Sequence, residues 1–503
     1  MYDLLMLCKL SSLVEKSHLL NGPLGLSTDV IIWCLSVVTR HKDKKMDTNM
    51  EVIPASEVTI KVYKYRWVAM FIFCLFTIIN FMQFLQFTII ANVVTKYYGV
   101  KSFAVDLTGL IFFLAFILLF SPISYLIEKY SLKVTAVVST GLTLLGNLVK
   151  LLCADPNRFY VVLIGQAFCA IGQVYMMSIP SKFASVWFGA NEVSTACAIA
   201  VLGTQLGAAI GSVVPPLIVK KTDKDVGESL RNMMIYNAIL SVVVFIIVAA
   251  LFTFVLVFRS RPKLPPSQSQ LHLLDTNQEP PSFLENFKTL IKNRDFLLLL
   301  LSFGLFNGLW NSFGILINTL YINYFPDGES DVGVITLIAI ISGGCIGSLV
   351  FGLILDKTHQ FKKTASGVML LASATFISVV YTFLTQSRIG TYITIPIFGF
   401  FAASGLVISF EYSLEVTYPI PESVSCSILN ATAFLFAIIC SVTLEWLLDV
   451  IGYVNSFIIV LAALLLCPVM IFFISSNLRR RDANLAHQNN NLATSISTET
   501  IPS

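Results

Sequence analysis

Charge is scarce in this chain. Of 503 residues, 12% are Asp, Glu, Lys or Arg, about half of the roughly 25% usual for a soluble globular protein. Histidine is scarcer still, with five residues (His18, His41, His272, His359 and His487), all in polar loops or tails and without metal-ligand spacing. The ten cysteines are scattered, mostly inside apolar runs. They form neither a disulfide framework nor a zinc pattern and read as small apolar fillers. No Gly-x-x-x-x-Gly-Lys-Ser/Thr loop occurs, which excludes an ATP-driven motor of that type. No catalytic residue, metal or cofactor is indicated, and a net charge of +4 gives no basis for a nucleic-acid partner.

What the chain has in excess is oil: 56% of its residues are hydrophobic. Twelve apolar runs lie at roughly 67–95, 103–127, 132–153, 159–180, 193–219, 232–258, 295–324, 331–355, 364–386, 390–418, 423–449 and 452–475. Each is about 20 residues or longer, enough for a helix to cross a hydrocarbon core of about 30 Å. The expected fold class is therefore an all-α membrane protein with 12 transmembrane helices. Between the sixth and seventh runs lies the one long polar connection, where RSRPKLPPSQSQ and QEPPSF are rich in helix breakers. Six spans, a linker and six spans is the layout of the major facilitator superfamily fold, two six-helix halves. The predicted organisation is a disordered cytoplasmic N-terminus (1–60), an N-terminal half (61–258), a cytoplasmic linker (259–293), a C-terminal half (294–475) and a disordered tail (476–503). Loops on the side of the termini carry about 18 Lys or Arg against about eight on the other side, which predicts cytoplasmic termini.

Polar groups inside such spans are costly and need a partner or a wet cavity. The first span carries Asn80, Gln83, Gln86 and Asn92, with Asn80, Gln83 and Phe87 on one helical face. The fifth carries Gln205 beside Gly203, Gly207 and Gly211, a four-residue glycine stripe that lets a neighbouring helix approach and places the amide near that contact. The seventh carries Asn307, Trp310, Asn311 and Asn318; the tenth Glu411 and Glu415; the eleventh Asn430 and Phe434. Each amide reads either as interhelical glue or as a binding group. Glu411 and Glu415 read either as structural partners of loop bases or as a cation or proton relay. Amides and aromatics, with no basic residue expected deep in the membrane, suit a neutral or cationic solute, held by cation–aromatic contacts. Loops after the second and eighth spans match: Glu128 with Lys133, and Asp356 with Lys357, Lys362 and Lys363. Acid followed by base at both places suits gating contacts.

The stretch SVWFGANEVSTACAIAVLGTQLGAAIGSVVPPLIV (185–219) closely resembles the feline leukaemia virus subgroup C receptor-related family, solute carrier family 49. YKYRWV (63–68), LINTLYINYFP (316–326), GLILDKTHQFKKT (352–364) and FEYSLEVTYPIPESVSCSILNAT (410–432) follow in the same order. The resemblance implies transport of choline or ethanolamine across the plasma membrane, with heme as an alternative cargo and a non-transporting receptor or scaffold as an alternative of another class. It also implies a choline site of a first-span tryptophan, a seventh-span tyrosine and glutamines on the fifth and eleventh spans. Those positions fall on Phe84, Asn311 (with Trp310 before it), Gln205 and Phe434, so the glutamine at 205 is retained and the other three are replaced. A single chain in a lipid bilayer, acting as a monomer, is the expected assembly.

Overall fold

The computed structural model describes residues 66–129, 132–153, 155–178, 183, 187–188, 193–219, 225–254, 283–358, 360–418, 420 and 422–475. The predicted terminal segments, most of the 259–293 linker, the five histidines and the side chains of Glu128, Lys133 and Asp356 lie outside the described residues. Among the described residues every regular element is a helix.

Ten helices are long and apolar enough to cross a membrane. One of them, Val424–Phe472, has 49 residues, roughly 73 Å at about 1.5 Å per residue, more than two bilayer cores. It breaks at Gly452, whose φ of 77° is a left-handed value that suits glycine, and so contains the eleventh and twelfth predicted spans. The fifth, Val193–Ile218, is a 26-residue helix whose apolar part is Leu202–Ile218. The others in order are the first (Arg66–Tyr98), second (Ser102–Lys129), third (Leu132–Lys150), fourth (Phe159–Ser178), sixth (Val226–Phe254), seventh (Arg294–Tyr324), eighth (Glu329–Leu355), ninth (Phe361–Leu384) and tenth (Arg388–Thr417). Leu349 and Tyr381, 65% and 66% exposed, are apolar surface of the kind that faces lipid rather than water.

One predicted feature needs correction. The segment expected to be linker up to 293 contains a helix, Phe283–Lys292. Apolar residues at 283, 284, 287, 290 and 291 follow the helical period, and Leu290 is fully buried, so the helix docks at the base of the second half. Asn293 then starts the seventh helix, its side chain accepting from the backbone N–H groups of Asp295 and Phe296.

The first helix is broken rather than straight. It runs Arg66–Leu85, passes through a tight turn at Thr88–Ile90 and resumes at Ala91–Tyr98. Carbonyls freed by the break are taken up by neighbours: Gln166 Nε2 donates to Gln83 O at 2.9 Å and Asn318 Nδ2 to Ile89 O at 2.6 Å. In an apolar medium such substitutes are what make an interruption tolerable.

The two halves are tied together at the end where the first and seventh helices finish. Asn92 N donates to Asn318 Oδ1 (3.1 Å), Asn318 Nδ2 to Asn92 Oδ1 (3.2 Å), and Asn92 Nδ2 to Glu329 Oε1 (2.6 Å). Ser102 shares a hydrogen bond with Thr319 (3.3 Å), and Ser212 donates to Gly333 O (3.2 Å). These contacts close what is called below the sealed end.

Candidate functional site

Glycines set the approach of the fifth helix to the first. A Cβ added at Gly207 would lie 2.6 Å from Ile78 O, and one at Gly211 2.6 Å from Met82 O. Only hydrogen fits there. Gln205 stands two residues from Gly203 and Gly207, about 200° round the helix from each. Its carboxamide is thus turned away from the first helix, which corrects the expectation that it lies near that glycine contact. It faces the other half instead: Gln205 Oε1 lies 2.7 Å from where a Cβ of Gly344 would be. Gly344 belongs to Ile341–Gly347, a π-helical segment within the eighth helix, and such bulges often mark functional positions.

Aromatic rings also cross between the halves. Phe84, half-buried, packs against Phe112 and Phe113 of the second helix at 5.7 and 5.3 Å. Phe113 stacks on Phe434 of the eleventh helix at 4.7 Å, and Phe116 meets the same ring edge-on at 5.1 Å. Phe84 and Phe434 therefore belong to one continuous aromatic layer, with the second helix between them.

The seventh helix presents separate faces to its neighbours. Gly308 and Ser312 meet the eleventh helix, Ser312 Oγ donating to Ala437 O at 3.0 Å. Ile315, Asn318 and Thr319 meet the first half at Gly109, Asn92 and Ser102. Asn311 is one turn from Ile315 on that second face, with its Nδ2 donating to Asn307 O at 2.8 Å. Trp310 points elsewhere, edge-on to Phe398 of the tenth helix at 5.7 Å. Asn311, not Trp310, is on the face shared with the other half.

Asn80 and Gln83 do share a face, but that face is turned into the first half. Asn80 Nδ2 donates to Thr143 Oγ1 (2.8 Å) and Cys169 O (3.1 Å), on the third and fourth helices. Gln83 Oε1 accepts from Gln86 Nε2 (2.9 Å) and from Lys150 Nζ (2.8 Å). They stand behind the Gln205–Phe84 surface rather than on it. Lys150 overturns the expectation of no basic residue within the membrane. It is 1% exposed, donates also to Gln166 Oε1 at 3.1 Å, and lies 5.9 Å from the Phe87 ring centroid. Amide oxygens and a ring face replace water for this ammonium. Lys150→Ala should leave both glutamine acceptors short of a donor and lower stability by about 1–3 kcal/mol, with Lys150→Met, which keeps the volume, less affected. Thermal melting of the purified protein checks this, and an unchanged melting temperature in Lys150→Ala would refute it.

At the opposite end of the bundle Glu411 is exposed and Glu415 is 9% exposed, and both interact with neighbouring groups. Sequence reasoning passed over Lys150 and Asp106, a buried carboxylate of the second helix. Each sits within a turn of the end of an apolar run, where a charge looks like a boundary.

Two helical halves sealed at one end, with amide and aromatic side chains turned to each other across the seam, define a membrane transporter of the alternating-access type. The chain matches the family model described as Major Facilitator Superfamily over residues 69–419. It is 34% identical over 446 residues to the choline/ethanolamine transporter flvcr2a of Danio rerio, covering 88% of this chain and 93% of that one. Human choline/ethanolamine transporter FLVCR2 is 34% identical (86% and 81% covered), and Felis catus FLVCR1 33% identical (85% and 76%). The chain belongs to the feline leukaemia virus subgroup C receptor-related family of the major facilitator superfamily. Its fold is shared by a bacterial homologue of the lysosomal transporter Spinster, with a TM-score of 0.64 at 12% identity over 84% of this chain and 99% of that one. The Escherichia coli fucose:proton symporter FucP has a TM-score of 0.55 at 14% identity, with 82% and 100% covered.

Proposed function

We propose that the chain carries choline, ethanolamine or a closely related small organic cation across the plasma membrane by alternating access. The observation that carries this is the placement of Gln205 and the Phe84–Phe113–Phe434 layer between the halves. An ammonium resting against aromatic faces gains about 0.5–2 kcal/mol per contact, and carboxamides at 205 and 311 orient a hydroxyl or amine. Phe84, Gln205, Asn311 and Phe434 form the contact set, with Trp310 beside it and Asn80 and Gln83 bracing the first helix from behind. The bias of basic residues puts both termini in the cytoplasm. The sealed end then faces outside, and the site is reached from within. Glu128, Lys133 and Asp356, with Glu411 and Glu415, serve as the inner gate, and a single chain forms the transport unit. The names of the relatives favour the same cargo. Heme fits less well, since none of the contact side chains offers an axial ligand to iron.

The test is radiolabelled choline uptake in cells expressing the chain, with surface abundance measured alongside. Background uptake at normal surface levels would reject the reading and leave a receptor or scaffold role. Because tryptophan is the stronger cation–aromatic partner, Phe84→Trp should lower the apparent KM for choline about two- to fivefold. A KM unmoved or raised in Phe84→Trp would remove position 84 from the contact set.

A further inference from the structure

Asp106 lies just over one turn into the second helix, at the sealed end. It is 1% exposed, and neither carboxylate oxygen has a hydrogen-bond partner among the described residues. Its surroundings are the seam itself. Ser102, one turn outward, is bonded to Thr319 of the seventh helix. Gly109, one turn inward, stands against Thr88 of the first and Ile315 of the seventh. The charged group facing it is another acid, Glu445 of the eleventh helix, which has Asp449 beside it.

A bare carboxylate in such a place has lost its water and gained nothing in return. No compensating cation stands close. Lys150 gives its hydrogen bonds to Gln83 and Gln166, Lys96 and Lys101 lie on the helix rim, partly or fully exposed, and Glu329 is held by Asn92. The seventh helix between Asp295 and Asp327 and the fourth helix carry no charged side chain. A metal cation would want several oxygen ligands, and no cluster of three or more His, Cys, Asp or Glu occurs among the described residues.

We propose that Asp106 is a proton-binding site of the gate: sealing this end takes up one proton onto its carboxyl, and opening it to water releases that proton. The carboxyl buried between the halves is neutral, whereas in water it ionises at neutral pH. The neighbouring Glu445 strengthens the hold on the proton. Acid therefore favours the sealed state, and alkali the open one. With one proton exchanged, the open-to-sealed ratio rises about tenfold per pH unit across the titration. The inference requires only that the halves part here, not any particular cargo.

Spin labels at Lys101→Cys and Asp327→Cys, two exposed positions at this end on opposite halves, read the gate without substrate. The full chain in lipid nanodiscs is measured by pulsed dipolar spectroscopy from pH 5.5 to 8.5, with the chain lacking the two substitutions as the labelling control. The short-distance population should fall with rising pH in the wild-type background and stay high throughout in Asp106→Asn. Glu445→Gln, which keeps Asp106, should move the midpoint to lower pH and serves where Asp106→Asn does not fold. A distance distribution indifferent to pH overturns the proposal. So does a pH response unchanged in Asp106→Asn or Glu445→Gln, or a population that follows sodium concentration at fixed pH. None of these outcomes depends on choline uptake, so the gate and the cargo fail or stand separately.

Discussion

Replacing Gly211 with leucine is expected to leave little folded protein. At this position a Cβ would meet Met82 O at 2.6 Å and Met82 Cα at 2.8 Å, which are backbone atoms with no rotamer to yield. The fifth helix must then lift off the first, and the lifting spreads to Gly207, where Ile78 O and Phe81 Cβ stand as close. In a bilayer, helices associate through such close packing rather than through escape from water. Overpacking typically costs about 1–3 kcal/mol and sometimes more, and two glycine contacts are lost together. Fluorescence-detected size exclusion of the tagged chain should show the monodisperse peak replaced by aggregate for Gly211→Leu, while Gly352→Leu, with nothing near its Cβ position, should behave as wild type. A normal peak for Gly211→Leu would mean that the first and fifth helices do not pack as described.

The largest functional loss should come from Gln205→Ala. Its carboxamide is carried on a helix held rigidly by the glycines and aims at the other half across Gly344. If it orients the cargo, truncation removes a hydrogen bond to a charged or strongly polar ligand, worth about 1.5–3 kcal/mol. That corresponds to roughly ten- to 150-fold in choline kcat/KM. Leu349→Ala, at a 65% exposed position, is the matching control and should transport normally. Gly344→Val tests the same amide from across the seam: the added methyls displace Gln205 without altering its chemistry, and should impair uptake in the same direction. Normal choline uptake by a Gln205→Ala chain at full surface abundance would dismiss this amide from the site.

Much of the architecture could be read from apolar run length alone, because the bilayer imposes one length on every crossing. Even the Gly452 break inside a 49-residue helical stretch was visible as the boundary between two runs. The glycine stripe was legible too, since a four-residue period names its own face. What a period does not reveal is which neighbour that face meets. Asn80 and Gln83 share a stripe as expected, yet meet the third and fourth helices. Gln205 was expected near the glycine contact and instead faces the eighth helix, a matter of two residues and about 200° of rotation. Asn92 and Asn318 read as glue, and they are glue, but between halves rather than within one. Lys150 stayed hidden because a lysine ending an apolar run usually reaches for water. Here two glutamines from other helices meet it first. The short helix Phe283–Lys292 was masked by the Pro-rich stretch before it, although its own period is clear.

The π-helical stretch Ile341–Gly347 makes the eighth helix sensitive to deletion in a way that its side chains do not suggest. Dropping one residue there would restore ordinary winding and turn everything from Ser348 to Thr358 by about 100° about the axis. Leu349 and Leu353, now among the most exposed apolar side chains of that arm, would swing toward the tenth helix, and half-buried neighbours would swing out to lipid. The arm could be resurfaced by many point changes and still function, but its residue count is pinned.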